Sequence, residues 1–134
     1  MPIKPELLEE LNIRRTEAKL GGGEGKTAKR HAKGQLTARE RIEVLYDNNS
    51  FQEAGMHVDQ ARPAASRLPG DGVITGVGNV EGRPVAVFSQ DFSVSGGSLS
   101  QMHSQKICNI QDQACELGFP IVGINDSGGA RIQE

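Results

Sequence analysis

A short apolar run, Ile121 to Ile124, leads into a polar corner and then into the glycine pair Gly128-Gly129. The run predicts a buried strand, and we expect Arg131 to Glu134 to open a helix. Glycine tolerates positive φ and lets another molecule approach the backbone, so main-chain N–H groups can point into a cleft here. Such donors suit an anion, or an oxygen that becomes anionic during a reaction. A plain tight turn is the other interpretation of the same residues.

Two further β-rich runs precede this stretch. Val73 to Val80 and Pro84 to Ser89 are rich in β-branched residues, and Glu81-Gly82-Arg83 between them predicts the turn of a hairpin. After the second run, Ser98-Leu99-Ser100-Gln101 matches a capping box. Apolar residues at helical spacing follow as far as Gly118, which stands where a helix C-terminal cap belongs.

The order of the second half is therefore strand, strand, glycine-rich turn, helix, strand, glycine-rich turn. Strands on either side of one helix can return to the same sheet as parallel neighbours. The glycine pairs Gly96-Gly97 and Gly128-Gly129 would then frame one cleft.

The first 47 residues predict a helical segment that precedes a domain beginning at residue 48. Pro5 to Leu20 has acidic residues early and basic residues late, which favours an amphipathic helix. Gly21-Gly22-Gly23 is interpreted as a flexible connector, because no strand precedes it and no phosphate-loop pattern includes it. Thr37 and Glu40 match a capping box for a second, short helix.

The run from Lys26 to Arg41 is strongly basic, with Glu40 as its one acidic residue. Such a run is more often a solvated face than a binding site, but it can contact polyphosphate or nucleic acid. Because no aromatic residue interleaves it, single-stranded nucleic acid is a poor candidate. We expect the run to face an anionic ligand or a neighbouring subunit.

Composition limits the remaining classes of protein and of binding partner. The 134 residues fit one domain, and a net charge of −2 selects no class of partner. No apolar run approaches the roughly 20 residues needed to span a bilayer, so we expect a soluble, cytoplasmic protein. Cys108 and Cys115 lie about 10 Å apart along one predicted helix, which excludes a mutual disulfide, and we expect two buried or half-buried reduced thiols. No His/Cys cluster at ligand spacing predicts a metal site.

Few side chains suit conventional acid–base chemistry. The three histidines are scattered along the sequence, and His103 is of most interest because it follows a glycine pair. Asp91 and Asp126 could form a carboxylate pair, but we expect each to cap its own turn. Asp126-Ser127 has no histidine nearby in sequence to complete a triad. Backbone N–H donors are therefore better catalytic candidates than a side-chain base.

Five blocks of residues are distinctive: Arg39 to Ile42, Pro69 to Gly76, Phe88 to Phe92, Gly96 to Leu99 and Asn125 to Glu134. These blocks closely resemble the carboxyltransferase (β) subunits of biotin-dependent acyl-CoA carboxylases. They occur in the family's order over essentially the whole chain, and we expect the chain to correspond to only the N-terminal part of such subunits. The resemblance implies an α/β fold of the ClpP/crotonase type, a spiral of ββα units that is incomplete here and follows N-terminal helices.

The resemblance also implies the site. Gly128, Gly129 and Ala130 are expected to be catalytic, as backbone donors of an oxyanion hole. No metal is expected. The residues expected to bind CoA are Phe92, Ser95, Gly96, Gly97, Ser98 and Arg131.

The implied reaction moves a carboxyl group from carboxybiotin to the α-carbon of propionyl-CoA, which gives methylmalonyl-CoA through a thioester enolate. Biotin would be carried by a partner protein or domain, and a separate biotin carboxylase subunit would use ATP and bicarbonate. The full-length protein is expected to be a homo-oligomer, a hexamer, that binds neither nucleic acid nor membrane. Relatives that carboxylate acetyl-CoA, decarboxylate methylmalonyl-CoA or act as transcarboxylases share these blocks, and a CoA-binding module inactive by itself is a further alternative.

Overall fold

Four helices and one four-stranded sheet form the structure, a computed structural model that describes residues 1–60 and 62–133. Three short 3-10 turns complete it, at Ala64–Ser66, Pro69–Gly72 and Ser95–Gly97. The helices and strands, in chain order, are α1 (Pro5–Leu20), α2 (Glu24–Ala32), α3 (Ala38–Leu45), β1 (Gln52–Ala54), β2 (Val73–Val80), β3 (Arg83–Gln90), α4 (Gln101–Leu117) and β4 (Ile121–Ile124).

The sheet has the strand order β1-β2-β3-β4, and its centre is the predicted hairpin. β2 and β3 pair antiparallel from Val73↔Gln90 to Val80↔Arg83, which confirms the hairpin and places Arg83 in the strand. The two turn residues, Glu81 and Gly82, have φ of 50° and 76°, the positive values that a tight hairpin turn requires.

The predicted helix and returning strand are also confirmed. α4 ends at Gly118, which adopts the left-handed conformation, and β4 then pairs parallel to β3 from Ala86↔Ile121. The predicted cap of α4 is wrong by two residues. Ser100, not Ser98, is the N-cap, and its Oγ accepts from the His103 N–H. The Ser98 hydroxyl instead donates to the Ser95 carbonyl.

The sheet is covered on both faces, by α3 on one side and α4 on the other. Against α3, Ile42 and Val87 are almost fully buried in an aliphatic cluster that also contains Tyr46. Against α4, Ala86 packs with Ile110 and Ala114. The small side chains on this second face let the helix approach the strands closely.

The N-terminal segment departs from prediction in two respects. α1 has the predicted bounds, but only Ala18 in it is buried, so the expected amphipathic face is not used within this chain. Gly21 to Gly23 is not a free connector, because α2 begins at Glu24 and the Gly22 N–H donates to Ser93 Oγ at 2.9 Å. A Cβ at Gly22 would lie 2.0 Å from the Ser93 carbonyl oxygen. This glycine therefore permits a close backbone contact.

The helix expected to open at Arg131 is not present over the described residues, where 132–133 form a turn; Glu134 lies outside them. Within the loop predicted from Ala61 to Leu68, Ala61 is also outside the described residues, and the short 3-10 turn follows. Among the described helices, none has the length and apolar character that crossing a membrane demands.

Candidate active site

The two glycine-rich turns lie directly against each other. The Gly128 N–H donates to the Gly96 carbonyl at 2.8 Å. One step further, Leu99 and Ala130 form a parallel bridge, in which the Leu99 N–H donates to the Gly129 carbonyl at 2.8 Å. The structure thus brings together the segments after β3 and after β4, as their glycine pairs predicted.

This contact requires glycine at one position above all. Gly97 has a φ of 60°, and a Cβ there would lie 2.3 Å from the Asp126 carbonyl oxygen. A side chain would therefore strain the backbone and separate the two turns. Phe92 lies beside the junction, with a ring carbon 3.9 Å from the Cβ position of Gly128.

The three predicted oxyanion donors differ in availability. The Gly128 N–H is occupied by Gly96, which corrects its assignment as a free donor in this chain. The Gly129 N–H donates to Ser127 Oγ at 3.1 Å, a local contact on the exposed surface. Within the described residues, the Ala130 N–H has no acceptor. In this parallel bridge Leu99 forms its hydrogen bonds with the neighbours of Ala130 and not with Ala130 itself. The Ala130 N–H therefore points away from Leu99.

Space in front of these amides is open. A Cβ built at Gly129 would meet no atom within 4 Å, and the residue has a φ of 135°. Ala130 itself is exposed. The junction therefore offers at least one unoccupied backbone donor on the open surface, where an oxygen atom can approach it.

Arg131 was predicted to bind CoA, but the structure engages it with protein groups. Its guanidinium forms an ion pair with the fully buried Asp71, with Nη1 and Oδ1 2.6 Å apart. It also donates to Ser98 Oγ at 3.0 Å and to the Ser98 carbonyl at 3.1 Å. This side chain is only 11% exposed, and it joins the two glycine turns to the Pro69–Gly72 turn.

The basic run is partly engaged with protein groups. Arg30 and Arg41 form ion pairs with Asp126, at 2.7 and 3.2 Å. Lys26 donates to the Ser93 carbonyl at 2.9 Å. Among the described residues, Lys29 and Lys33 have no partner.

A groove of about 350 Å³ lies between these lysines and the segment after β3. It is lined by Lys26, Lys29, Arg30, Lys33, Gln35, Phe92, Ser93 and Gly96. The groove combines unpaired positive charge with an aromatic ring that is 48% exposed. A larger hollow of about 740 Å³ beside α3 contains none of the predicted site residues.

Asp91 and Asp126 do not form a pair of catalytic carboxylates. Asp91 accepts from the Ser93 N–H at 3.0 Å and so caps its own turn, as expected. Asp126 is held by the two arginines, which fixes the turn after β4 against α2 and α3. Nothing local in the sequence indicated these long-range ion pairs.

The histidines have no catalytic geometry. His31 lies on the surface with Glu40, whose pKa is lowered by the Thr37 N–H and by His31. His103 is fully buried, and burial lowers its pKa. Over the described part of the chain, His, Cys, Asp and Glu residues form no group able to hold a metal ion.

The sheet, the crossover helix and the joined glycine turns form an α/β protein, and comparison with known families places it in the carboxyltransferase class. The family described as carboxyl transferase domain matches residues 29–134, and the chain belongs to that family.

Individual relatives include the propionyl-CoA carboxylase beta chain of Cereibacter sphaeroides, which is 52% identical. The alignment covers 96% of this chain and 26% of that protein. The methylmalonyl-CoA decarboxylase subunit alpha of Veillonella parvula is 50% identical, with 100% of this chain and 27% of that protein covered. The chain thus spans about a quarter of the length of these relatives.

A solved structure of transcarboxylase 12S superposes with a TM-score of 0.92 at 40% identity. All of this chain and 27% of that one are covered. That structure is described as a hexamer assembly with methylmalonyl-coenzyme A and methylmalonic acid bound. A single-chain, multi-domain long-chain acyl-CoA carboxylase superposes with a TM-score of 0.84 at 28% identity. The superposition covers 99% of this chain and 15% of the other. These neighbours confirm the crotonase-like fold class.

Proposed function

We propose that this chain contributes to the acyl-CoA site of a biotin-dependent acyl-CoA carboxylase, as part of its carboxyltransferase component. The reaction is transfer of a carboxyl group from carboxybiotin to the α-carbon of propionyl-CoA, which gives methylmalonyl-CoA. The observation that carries the proposal is the unpaired Ala130 N–H, which stands beside open space where two glycine turns join.

The chemistry needs such a donor. When the α-proton of a thioester leaves, negative charge develops on the thioester oxygen, and the enolate would then attack the CO₂ that is released when the N–C bond of carboxybiotin breaks. A fixed N–H at that oxygen stabilises the transition state, and loss of one such donor typically costs about 2.7–4 kcal/mol. The Ala130 N–H takes this role, with Gly129 beside it if the thioester oxygen displaces the Ser127 hydroxyl.

Biotin, carried by a partner protein or domain, supplies the carboxyl group and is the acceptor of the α-proton. None of the groups described above is assigned to hold it. This chain's residues act on the acyl-CoA alone, by orienting the thioester and stabilising the charge on its oxygen.

The groove beside α2 suits the nucleotide part of CoA. Lys29 and Lys33 offer free ammonium groups for phosphate, and Phe92 offers an apolar surface beside Gly96. The segment Ser95 to Ser98 forms the turn along which the pantetheine arm would run. Because the arginines of the basic run are engaged elsewhere, a small anionic ligand fits better than nucleic acid.

Propionyl-CoA is the proposed substrate because several relatives near 50% identity are named propionyl-CoA carboxylase beta chains. The methylmalonyl-CoA decarboxylase subunit is almost equally similar, so decarboxylation is the second candidate. An acetyl-CoA carboxylase is a third.

The proposed partners are a biotin carboxylase and biotin carrier subunit, which would use ATP and bicarbonate, and further copies of the same subunit. A hexamer is supported by the assembly described for transcarboxylase 12S. The proposed location is the cytoplasm, where thiols stay reduced. Cys108 and Cys115 are both exposed, so the expectation of buried or half-buried thiols was wrong.

The experiment compares propionyl-CoA with propionyl-pantetheine, which lacks the nucleotide phosphates, in the complete carboxylase. Replacing Lys29 and Lys33 together by Ala should raise KM for propionyl-CoA by roughly tenfold or more, since charge-assisted contacts to phosphate are lost. KM for propionyl-pantetheine should stay at the wild-type value. Lys4→Ala, an exposed lysine before α1, is the matched control and should change neither.

Equal effects on both substrates would contradict a phosphate-binding role. A change in assembly size without a change in KM would assign the lysines to a subunit interface instead. Absence of carboxyl transfer by the wild-type enzyme to any short acyl-CoA would refute the proposed function as a whole.

A further inference from the structure

Two buried polar side chains link the turn after β4 to the interior. Gln90, the last residue of β3, is 6% exposed, and His103, in the first turn of α4, is fully buried. His103 Nδ1 lies 2.8 Å from the Asp71 carbonyl oxygen, and its Nε2 lies 3.3 Å from Gln90 Nε2. At the other end, the Asp126 N–H donates to Gln90 Oε1 at 3.0 Å.

The backbone groups at the two ends fix the direction of this chain of hydrogen bonds. The Asp126 N–H requires an acceptor, so the amide oxygen of Gln90 faces it and the NH₂ group faces His103. His103 Nε2 must then accept, which places the ring proton on Nδ1, where it donates to the Asp71 carbonyl. The imidazole is therefore neutral, in agreement with a pKa that burial lowers.

His103 is not a catalytic base in this arrangement. Its ring is fully buried and both nitrogens are engaged, so neither can reach a substrate. In this series of hydrogen bonds each side chain has one permitted orientation. The series therefore holds the backbone groups at its two ends in fixed positions.

The group held is the backbone of Asp126, two residues before Gly128. Its carboxylate is held independently by Arg30 and Arg41, and its carbonyl lies against Gly97. The position of Asp126 sets where the rest of the turn crosses the Gly96 segment. It thereby sets the direction of the Ala130 N–H.

We propose that Gln90 and His103 are positioning residues for carboxyl transfer, because through the Asp126 N–H they fix the turn that carries the oxyanion donor. This inference rests on the proposed function. It adds two residues that touch neither acyl-CoA nor biotin.

The test replaces Gln90 by Met in the complete carboxylase, which keeps the side-chain length but removes both donor and acceptor. We expect kcat for propionyl-CoA to fall roughly 10²-fold, the effect of a small misplacement at a reacting centre. KM should stay close to the wild-type value, since the CoA groove is untouched.

Ser89→Ala is the matched control. Ser89 is the neighbouring residue in β3, is fully buried and donates to the Ala38 carbonyl at 3.1 Å, but has no link to the turn. It should lower the melting temperature and leave kcat unchanged. If Gln90→Met does not fold, the test uses Gln90→Asn instead. This variant shortens the side chain by one methylene group, and we expect the same fall in kcat.

An active wild-type enzyme whose Gln90 variants behave like Ser89→Ala, with lower melting temperature and unchanged kcat, would overturn this inference and leave the proposed function standing. An inactive wild-type enzyme would refute the proposed function itself.

Discussion

Arg131 shows how distant in sequence the groups that shape this site are. Its partners Asp71 and Ser98 lie 60 and 33 residues earlier in the chain. A guanidinium suits this position because it can donate in several fixed directions at once. The resemblance implied that Arg131 binds CoA, and nothing local in the sequence indicated its buried acidic partner.

Arg131→Met should destabilise the protein strongly, because it leaves the Asp71 carboxylate buried without its closest cation. Breaking a buried ion pair typically costs about 3–5 kcal/mol, and the melting temperature of the complete enzyme measures the change. Arg14→Met is the control, since Arg14 pairs with Glu10 on the surface of α1 and both are about half exposed. It should leave the melting temperature nearly unchanged, and an equal fall in both variants would contradict this role of Arg131.

At the scale of helices and strands, the sequence correctly predicted the elements that depend mainly on residues close to one another in the chain. The β2–β3 hairpin follows from β-branched runs around a turn, and α4 from helical spacing that ends at Gly118. The Thr37 capping box is also confirmed, because both of its reciprocal hydrogen bonds form within four residues.

Elements that depend on tertiary contacts were missed. β1 has three residues, too few for periodicity, and exists through its pairing with β2. α2 is highly charged and contains Gly25, so its sequence shows no apolar stripe; its arginine and lysine contacts with Asp126 and Ser93 hold it in place. The true cap of α4 was missed because Ser98 and Ser100 both fit the pattern and tertiary contacts engage Ser98.

Gly22→Ala should destabilise the junction between α1 and α2, because the new Cβ would meet the Ser93 carbonyl oxygen at 2.0 Å. Forcing an atom into such a packed contact typically costs about 1–3 kcal/mol. Gly25→Ala is the matched control, since a Cβ there meets no atom within 4 Å and Ala favours a helix. Thermal unfolding should therefore shift downward for Gly22→Ala and upward for Gly25→Ala. A downward shift of the same size for both would show that the close contact is not the cause.

At the scale of the whole molecule, two turns distant in sequence become one site because β4 returns beside β3. The prediction of a joined pair of glycine turns followed from the order of elements alone. Which amides remain free could not be predicted, because the Gly128 N–H donates to the carbonyl of Gly96, which lies 32 residues earlier in the sequence. The chain also spans about a quarter of its relatives' length.

A crystal structure of the complete carboxyltransferase with propionyl-CoA bound is the most direct measurement of the proposed oxyanion site. The distance to read is the one between the thioester oxygen and the Ala130 nitrogen. We expect a hydrogen-bond distance of about 2.7–3.1 Å, with the CoA phosphates next to Lys29 and Lys33. A structure in which the Ala130 N–H donates to a protein carbonyl while the thioester oxygen is held elsewhere would contradict the proposed site.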